Sequence, residues 1–423
     1  MDIPDSKSDL SKSCITGKYS PDPTSAKAPT FAMWLLYLQS FKYFLDRIRV
    51  MRKWARKIAV ALSIGIVLTS GSFHFFSKAA SNAIPRSKVL QGAKQSKNGD
   101  TNILLLGLDS RRDNDGNPLP LKLTKLLHVG PASIGGYNTN TMILIHLPAN
   151  GKKAVAISIP RDDYVNVPGY GMKKIKEAYG YAKYAEDSRL YKEGIKQPAR
   201  EHLARDAGRA AAIATVSQFL DVPIDHFAEV NLLGFYDLAN ALGGIQVCLN
   251  RAVNDSRYSG AVFPAGLQTI SGVDALKFVR QRHGLPNGDL DRTHRQQAFI
   301  TGVITKFRTQ GIFSDIGKLS ALLNVAKKDV VIDSGFDILG FLPQAKALTG
   351  GNIKFHTLPI EGYVMRNGQS VNLVDEIKVR KFVQDLFSPK KTDSTPSPKP
   401  TKINYANLAN GKAVDGSKIP CVN

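Results

Sequence analysis

Apolar positions fall into two unlike regimes along this chain. Between residues 58 and 76 the run IAVALSIGIVLTSGSFHFF holds no Lys, Arg, Asp or Glu. As a helix it would reach roughly 28 Å, the depth of a bilayer core. From residue 101 onward the apolar runs shorten and alternate with turn signals. Residues 103–106, 141–147 and 154–159 read as strands, with Asn150-Gly151 as a hairpin signal between the last two. Apolar spacing predicts a helix over 207–220, then strands at 227–230 and 244–249 around a helix at 234–242. Ser271 with Asp274 predicts a capping-box start for a helix reaching residue 280. A second helix over 289–308, a strand at 352–358 and a closing helix at 373–387 complete the pattern. Strands and helices mixed on this scale predict a layered α/β domain.

The flanks give the first run its meaning. Lys42, Arg47, Arg49, Arg52, Lys53, Arg56 and Lys57 precede it, against Asp46 alone. The positive-inside bias holds that side in the cytoplasm and places the rest of the chain outside. Ala79, Ala80 and Ala83 would suit a cleavage site, but 57 residues exceed an ordinary leader's basic region. The expected organisation is a basic, largely disordered cytoplasmic tail (1–57), a single-pass signal anchor in the cell membrane (58–77) and a stalk (78–100). Beyond these come an extracytoplasmic domain (101–387) and a Pro/Ser/Lys-rich tail (388–423).

Charge narrows the partners. Lys and Arg number 57 against 35 Asp and Glu, a net +22. The excess is spread along the chain: +6 in residues 1–57, +4 in 388–423 and +12 between them. Anionic lipid, phosphate or acidic polymer fits such a distribution. A nucleic-acid partner does not, since the residues expected inside the cell carry no DNA-reading motif. Cys14, Cys248 and Cys421 form neither a CxxC nor a Cys/His set, which argues against structural zinc and leaves free thiols as the plain reading.

GxxxxGK[ST], GxSxG and HExxH are absent. Three acid–arginine clusters stand at the ends of apolar runs instead. Asp109 and Arg111 follow ILLLGL, and Arg161 and Asp162 follow Pro160. Each pair alone reads as a solvated turn or surface ion pair as readily as a ligand contact. The third cluster is denser: Arg280 and Arg282 precede a Gly/Pro/Asn loop, after which Asp289, Arg292 and Gln296 share one helix face. Arginine forks near a helix N-terminus suit a multiply charged phosphate, although a charged helix with internal Asp–Arg pairs fits the same residues.

The segments IPRDDYVNVPGYGMKKIKEAYG and FPAGLQTISGVDALKFVRQRHGLPNGDLDRTHRQQAF resemble the two signatures of the LytR–CpsA–Psr family. VPIDHFAEVNLLGFYDLANALGGIQVCL is similar to the segment between them. The likeness covers roughly residues 101–308 and reaches 387 more weakly. It implies a three-layer α/β/α domain with a mixed central sheet and an apolar tunnel for a polyprenyl chain. The implied activity is phosphotransfer of a glycopolymer from a polyprenyl-pyrophosphate carrier to peptidoglycan, leaving a phosphodiester link. Carried over residue by residue, Arg161, Arg280, Arg282 and Arg292 bind pyrophosphate and Gln296 hydrogen-bonds it. Arg111 and Asp162 orient that shell, and Asp289 pairs with the arginines. Asp109 and Asn140 fall where Mg2+, or another divalent cation, is held. Two rivals share the site: a polyprenyl-pyrophosphate phosphatase, and a non-catalytic polyprenyl-phosphate-binding wall-assembly protein.

Departures from the family bear on these expectations. Many relatives carry Asp where Asn140 stands, so the charge for a metal is reduced. The stretch 112–137 is longer than in compact relatives. Many also have a cysteine at the place of Leu267, pairing with the match of Cys248; its absence leaves Cys421 as the candidate partner on the oxidising side of the membrane.

Overall fold

The computed structural model describes residues 84–133, 136–149, 153–312, 315–348, 353–388, 414–415 and 418–423. The expected anchor, the tail before it and the Asn150-Gly151 turn lie outside these residues. Among the described residues no helix is long and apolar enough to cross a membrane.

In chain order, β1 (Arg86–Ser87) and β2 (Thr101–Leu108) precede a short helix, α1 (Leu121–Leu126). The strands β3 (Thr139–Leu147) and β4 (Ala154–Ser158) are followed by a small hairpin, β5 (Tyr164–Val167) and β6 (Gly171–Lys174). Two long helices come next, α2 (Ala178–Lys192) and α3 (Ala199–Leu220). Then come β7 (His226–Asn231), α4 (Leu232–Ala241), β8 (Ile245–Leu249), β9 (Val253–Asp255), β10 (Ala261–Phe263) and β11 (Gly266–Ile270). The arginine-rich segment lies on α5 (Gly272–Arg280) and α6 (Asp289–Thr309). After them run α7 (Ile316–Asp329), β12 (Val330–Asp333), α8 (Ile338–Leu348) and β13 (Ile353–Thr357). A hairpin of β14 (Gly362–Arg366) and β15 (Gln369–Leu373) leads to α9 (Glu376–Phe387), and β16 (Val414–Asp415) and β17 (Cys421–Val422) return from the tail.

Eight strands form the main sheet in the order β1-β12-β7-β2-β3-β4-β13-β16. It is mixed: β2 runs parallel to β7 and antiparallel to β3, while β4 runs antiparallel to β3 and parallel to β13. One face presents Leu104, Leu106, Leu144 and Ile157 to Ile213, Val216 and Phe219 of α3 and to Val379 and Val383 of α9. The opposite face presents Leu105, Ile143, Ile145 and Phe355 to Ile300 and Ile304 of α6 and to Leu348 of α8. Burial on both faces is why these strands read as continuous apolar runs. Helices thus cover both faces of a mixed sheet. Gly107 closes β2 where β3 approaches: a Cβ there would lie 2.8 Å from Thr141 Cβ, so a side chain would force the strands apart.

Several expectations need correction. Residues 84–100 are part of the domain, not a stalk. Ile84 is buried, β1 pairs with β12, and Ser87 Oγ donates to Asp206 at 2.6 Å. The helix expected from residue 207 begins at Ala199. Its first turns escaped notice because their buried face is ionic: Arg205 pairs with Glu201 at 2.8 Å and Arg209 with Glu229 at 2.9 Å. Ser271 does sit at the N-cap of α5, but its side chain makes no capping hydrogen bond. The last helix starts at Glu376, not 373, because Leu373 belongs to β15 and Asp375 caps the helix by accepting from Ile377 N and Lys378 N. The periodicity also missed α1, α2, α7, α8, β12 and the three small hairpins β5–β6, β9–β10 and β14–β15.

A separate three-stranded sheet has the order β11-β8-β17. Leu267 lies opposite Cys248 on one side, and Cys421 lies opposite Cys248 on the other. Cys248 and Cys421 form a disulfide closing a separation of 173 residues. Leu267 thus fills one cross-strand position beside Cys248, and the tail strand supplies the sulfur partner at the other.

Candidate active site

The carboxyl ends of β2 and β4 and the start of β3 meet the loop between α5 and α6, and all three acid–arginine clusters converge there. Asp109 follows β2 directly. Its Oδ2 accepts from Asn140 Nδ2 at 2.7 Å, and its Oδ1 lies 3.3 Å from Arg111 Nη1. Asn140 Oδ1 in turn accepts from Arg161 Nη1 at 3.0 Å. Pro160 ends β4 and sets Arg161 at its tip, where Arg161 Nε meets Asp289 Oδ1 at 3.0 Å. Asp289 opens α6, where acids favour the helix dipole, and it also pairs with Arg292 at 3.0 Å, one turn on. Asp162 is held by Lys176 at 2.7 Å, Lys174 at 3.2 Å and Arg161 at 3.6 Å.

Beneath this cluster lies a cavity of about 740 Å3 between the sheet and α4, α5 and α6. Leu105, Ile143, Val230, Phe235, Leu276, Phe299 and Val303 line its apolar part. The charged side chains on it are Arg111, Arg161, Lys176, Arg280, Arg282 and Arg292, against Asp109 alone. Six cations and one carboxylate make a seat for a polyanion next to an apolar chamber. Gln296 also lines it, its Nε2 donating to Val279 O at 3.4 Å. Arg282 is exposed and forms no ion pair among the described residues.

Burial and crowding shift these groups. Burial, reinforced by Arg161 and resisted by Asp289, brings the Arg292 guanidinium down to about 10. Burial likewise lowers Arg280 and Lys176. Burial opposes ionisation of Asp162, but Lys176 and Arg161 outweigh it and hold its carboxyl below the usual range. Crowded, partly dry cations of this kind gain when an anion enters.

Asp163 behaves oppositely. It is fully buried, accepts from Asn372 Nδ2 at 2.8 Å, and burial pushes its carboxyl well above the usual range. A raised folded value means that its contribution to folding is complete below about pH 4 and is lost as pH rises towards that value. Asp163→Asn is expected to leave Tm unchanged near pH 4 and to raise it by roughly 2–4 °C at pH 7. Melting curves at both values check this; a lower Tm at pH 7 would show that the ionised form is required.

Sequence reasoning missed two parts of the site. Lys174 and Lys176 flank Ile175, which is buried and points the lysines back towards Asp162. Their alternation in MKKIKE was the available signal. The second part is backbone. Leu127 O and His128 O accept from Arg280 Nη1 at 3.4 and 3.2 Å, and Val129 O accepts from Arg111 Nε at 2.9 Å. The long stretch 112–137 thus braces two arginines with carbonyls, which no side-chain pattern reveals. Arg295, three residues beyond Arg292 on α6, does not line the cavity. It is fully buried, donating to Gln281 Oε1 at 2.8 Å and to Asn423 O at 2.5 Å.

The sequence model of the LytR_cpsA_psr family matches residues 71–388. The chain is 38% identical over 340 residues to the cell wall biosynthesis protein LcpA of Corynebacterium glutamicum, covering 78% of this chain and 65% of that protein. It is 29% identical over 310 residues to the polyisoprenyl-teichoic acid–peptidoglycan teichoic acid transferase TagU of Bacillus licheniformis, covering 70% and 85%. Among solved structures, protein gbs0355 from Streptococcus agalactiae shares the fold with a TM-score of 0.51 at 21% identity, over 73% of this chain and 93% of that one.

Proposed function

The chain belongs to the LytR_cpsA_psr family, and on that premise we propose that it is a phosphotransferase moving a glycopolymer from a polyprenyl-pyrophosphate carrier onto peptidoglycan. The observation that carries this reading is a cavity that joins an apolar lining to six cations. The apolar part takes the prenyl chain. Arg161, Arg280, Arg282 and Arg292 take the pyrophosphate oxygens, with Gln296 donating beside them. The acceptor hydroxyl oxygen bonds to the sugar-linked phosphorus as the bridge to polyprenyl phosphate breaks, and the hydroxyl proton passes to the departing polyprenyl phosphate. Phosphoryl transfer needs little beyond positioning and charge stabilisation, and six cations supply both. Residues 58–77 would anchor the protein in the cell membrane, near its lipid substrate.

The residues present admit Mg2+ in part. Asp109 Oδ1 is buried at the cavity with no hydrogen bond, only the Arg111 guanidinium 3.3 Å away, so it keeps lone-pair capacity for a hard cation. Asn140 directs its oxygen to Arg161 and its nitrogen to Asp109, so it fits the role of holding Asp109 better than that of a ligand. When bound, the ion would neutralise phosphate charge. Asn140→Asp puts a second carboxylate there and is expected to tighten Mg2+ binding by roughly tenfold. The Mg2+ dependence of Tm, which needs no turnover, reads this directly. Superimposable titrations would remove position 140 from the metal's neighbourhood.

The test of function is incubation of the purified chain with a polyprenyl-pyrophosphate-linked oligosaccharide and peptidoglycan strands, followed by mass analysis. Transfer yields polyprenyl monophosphate and a phosphodiester-linked strand. Polyprenyl monophosphate with a free sugar phosphate would identify a phosphatase instead, and retained, intact lipid would identify a binder.

A further inference from the structure

We propose that Tyr181, Tyr184 and Tyr191 on α2 form a docking track for the glycan strand of peptidoglycan that accepts the polymer; the proposal rests on the transfer reading above. The three rings are 42%, 49% and 69% exposed. They lie on one face of α2, with exposed Ala185 and Ser188 between them, so the surface around the rings is low. From Tyr184 to Tyr191 the helix rises roughly 10 Å, enough for more than one sugar ring.

Each ring is braced from within the protein. Tyr181 stacks on Tyr170 with centroids 5.8 Å apart, and Lys173 Nζ lies 5.3 Å from its centroid. Tyr184 meets the buried Tyr137 edge-on at 5.8 Å. Tyr191 is backed by the Arg200 guanidinium at 5.1 Å, which Asp187 holds at 3.1 Å. Braced rings lose little freedom on binding, and their electron-rich faces suit the C–H faces of sugar rings.

The track is continuous with the cavity mouth. Lys176, on the cavity, precedes α2 by two residues. Gly136 also lines the cavity, and a Cβ there would lie 3.8 Å from Tyr184 Oη. Charge selects the occupant. Around the tyrosines Arg189 pairs with Glu186 and Glu193, and Arg200 pairs with Asp187. With Lys173 and exposed Lys192 beside these pairs the face is mildly cationic, far less so than the mouth with its six cations and one carboxylate. A polyanionic donor polymer meets a weaker field on such a face, whereas an N-acetylhexosamine strand can stack along it.

The test uses the full chain and glycan strands freed from peptide and attached polymer. Tyr181→Ala/Tyr184→Ala/Tyr191→Ala is expected to weaken strand binding on the order of a hundredfold, about two- to tenfold per ring. The corresponding triple Phe variant should bind like wild type, since stacking survives. In the transfer assay KM for strands should rise while kcat at saturation and binding of donor lipid hold. Tyr181→Ala/Tyr191→Ala leaves the Tyr137 contact intact and guards against misfolding. Unchanged strand affinity in both alanine variants would overturn the proposal, leaving ordinary exposed tyrosines. Weakened binding of the soluble donor polymer in place of the strand would also overturn it. If wild type binds strands through these rings but transfers nothing, the transfer reading fails and the track stands.

Discussion

Arg161→Ala is expected to lower transfer by about two to three orders of magnitude, the usual loss when a preorganised donor to a developing anion is removed. Arg161 ties the three clusters of the site together: it donates to Asn140, pairs with Asp289 and lies 3.6 Å from Asp162. On the proposed reading its loss removes one phosphate contact, and it also frees the amide that holds Asp109. Stability should fall by only about 1–3 kcal/mol, because Arg292 still pairs with Asp289. Arg161→Lys should recover part of the rate, since one ammonium cannot serve Asn140, Asp289 and a phosphate together. Steady-state transfer with parallel melting curves separates the effects. Near-wild-type turnover in a folded Arg161→Ala protein would take Arg161 out of the reaction and leave it a structural ion pair.

Cys421→Ser is expected to cost about 2–5 kcal/mol of stability, within the range for losing a native disulfide that closes a long loop. The cross-link joins strands 173 residues apart. Denaturant midpoints of oxidised wild type, reduced wild type and the variant should fall into two groups, the last two coinciding. A variant as stable as oxidised wild type would mean that β17 pairing alone secures the tail. Turnover should fall too. Asn423 O accepts from Arg295, and Arg295 holds Gln281 between Arg280 and Arg282. Loosening the tail therefore loosens the arginine loop.

How legible each part of the molecule was in the sequence depended on how its groups are satisfied. The runs at 103–106, 141–147 and 154–159 were legible because water-avoiding side chains on both strand faces leave an unbroken apolar signal. The first turns of α3 were not, because Glu201, Arg205 and Arg209 are buried by pairing with each other and with Glu229. Read as letters, they look like solvent-facing charge. The acid–arginine clusters were visible one by one, yet their convergence depends on β2, β4 and α6 meeting in space. Carbonyl braces at residues 127–129 have no side-chain signature. The pairing of Cys248 with Cys421 required knowing that β17 lies against β8, a contact no local pattern encodes.

That tail has a consequence for the order in which the chain can fold. β16 pairs with the outer side of β13, and β17 with the open side of β8. Until residues 414–422 arrive, both strands present unpaired backbone edges. These contacts, at a separation of 173 residues for the disulfide, are among the slowest to find. A chain emerging N-terminus first would therefore carry the β8 edge once Leu249 is made and the β13 edge once Thr357 is made, both open until the tail follows. Neighbouring copies would compete for those edges. The small return of the tail acts as a late seal on both edges, so the stage before it docks is where the chain is most exposed to aggregation.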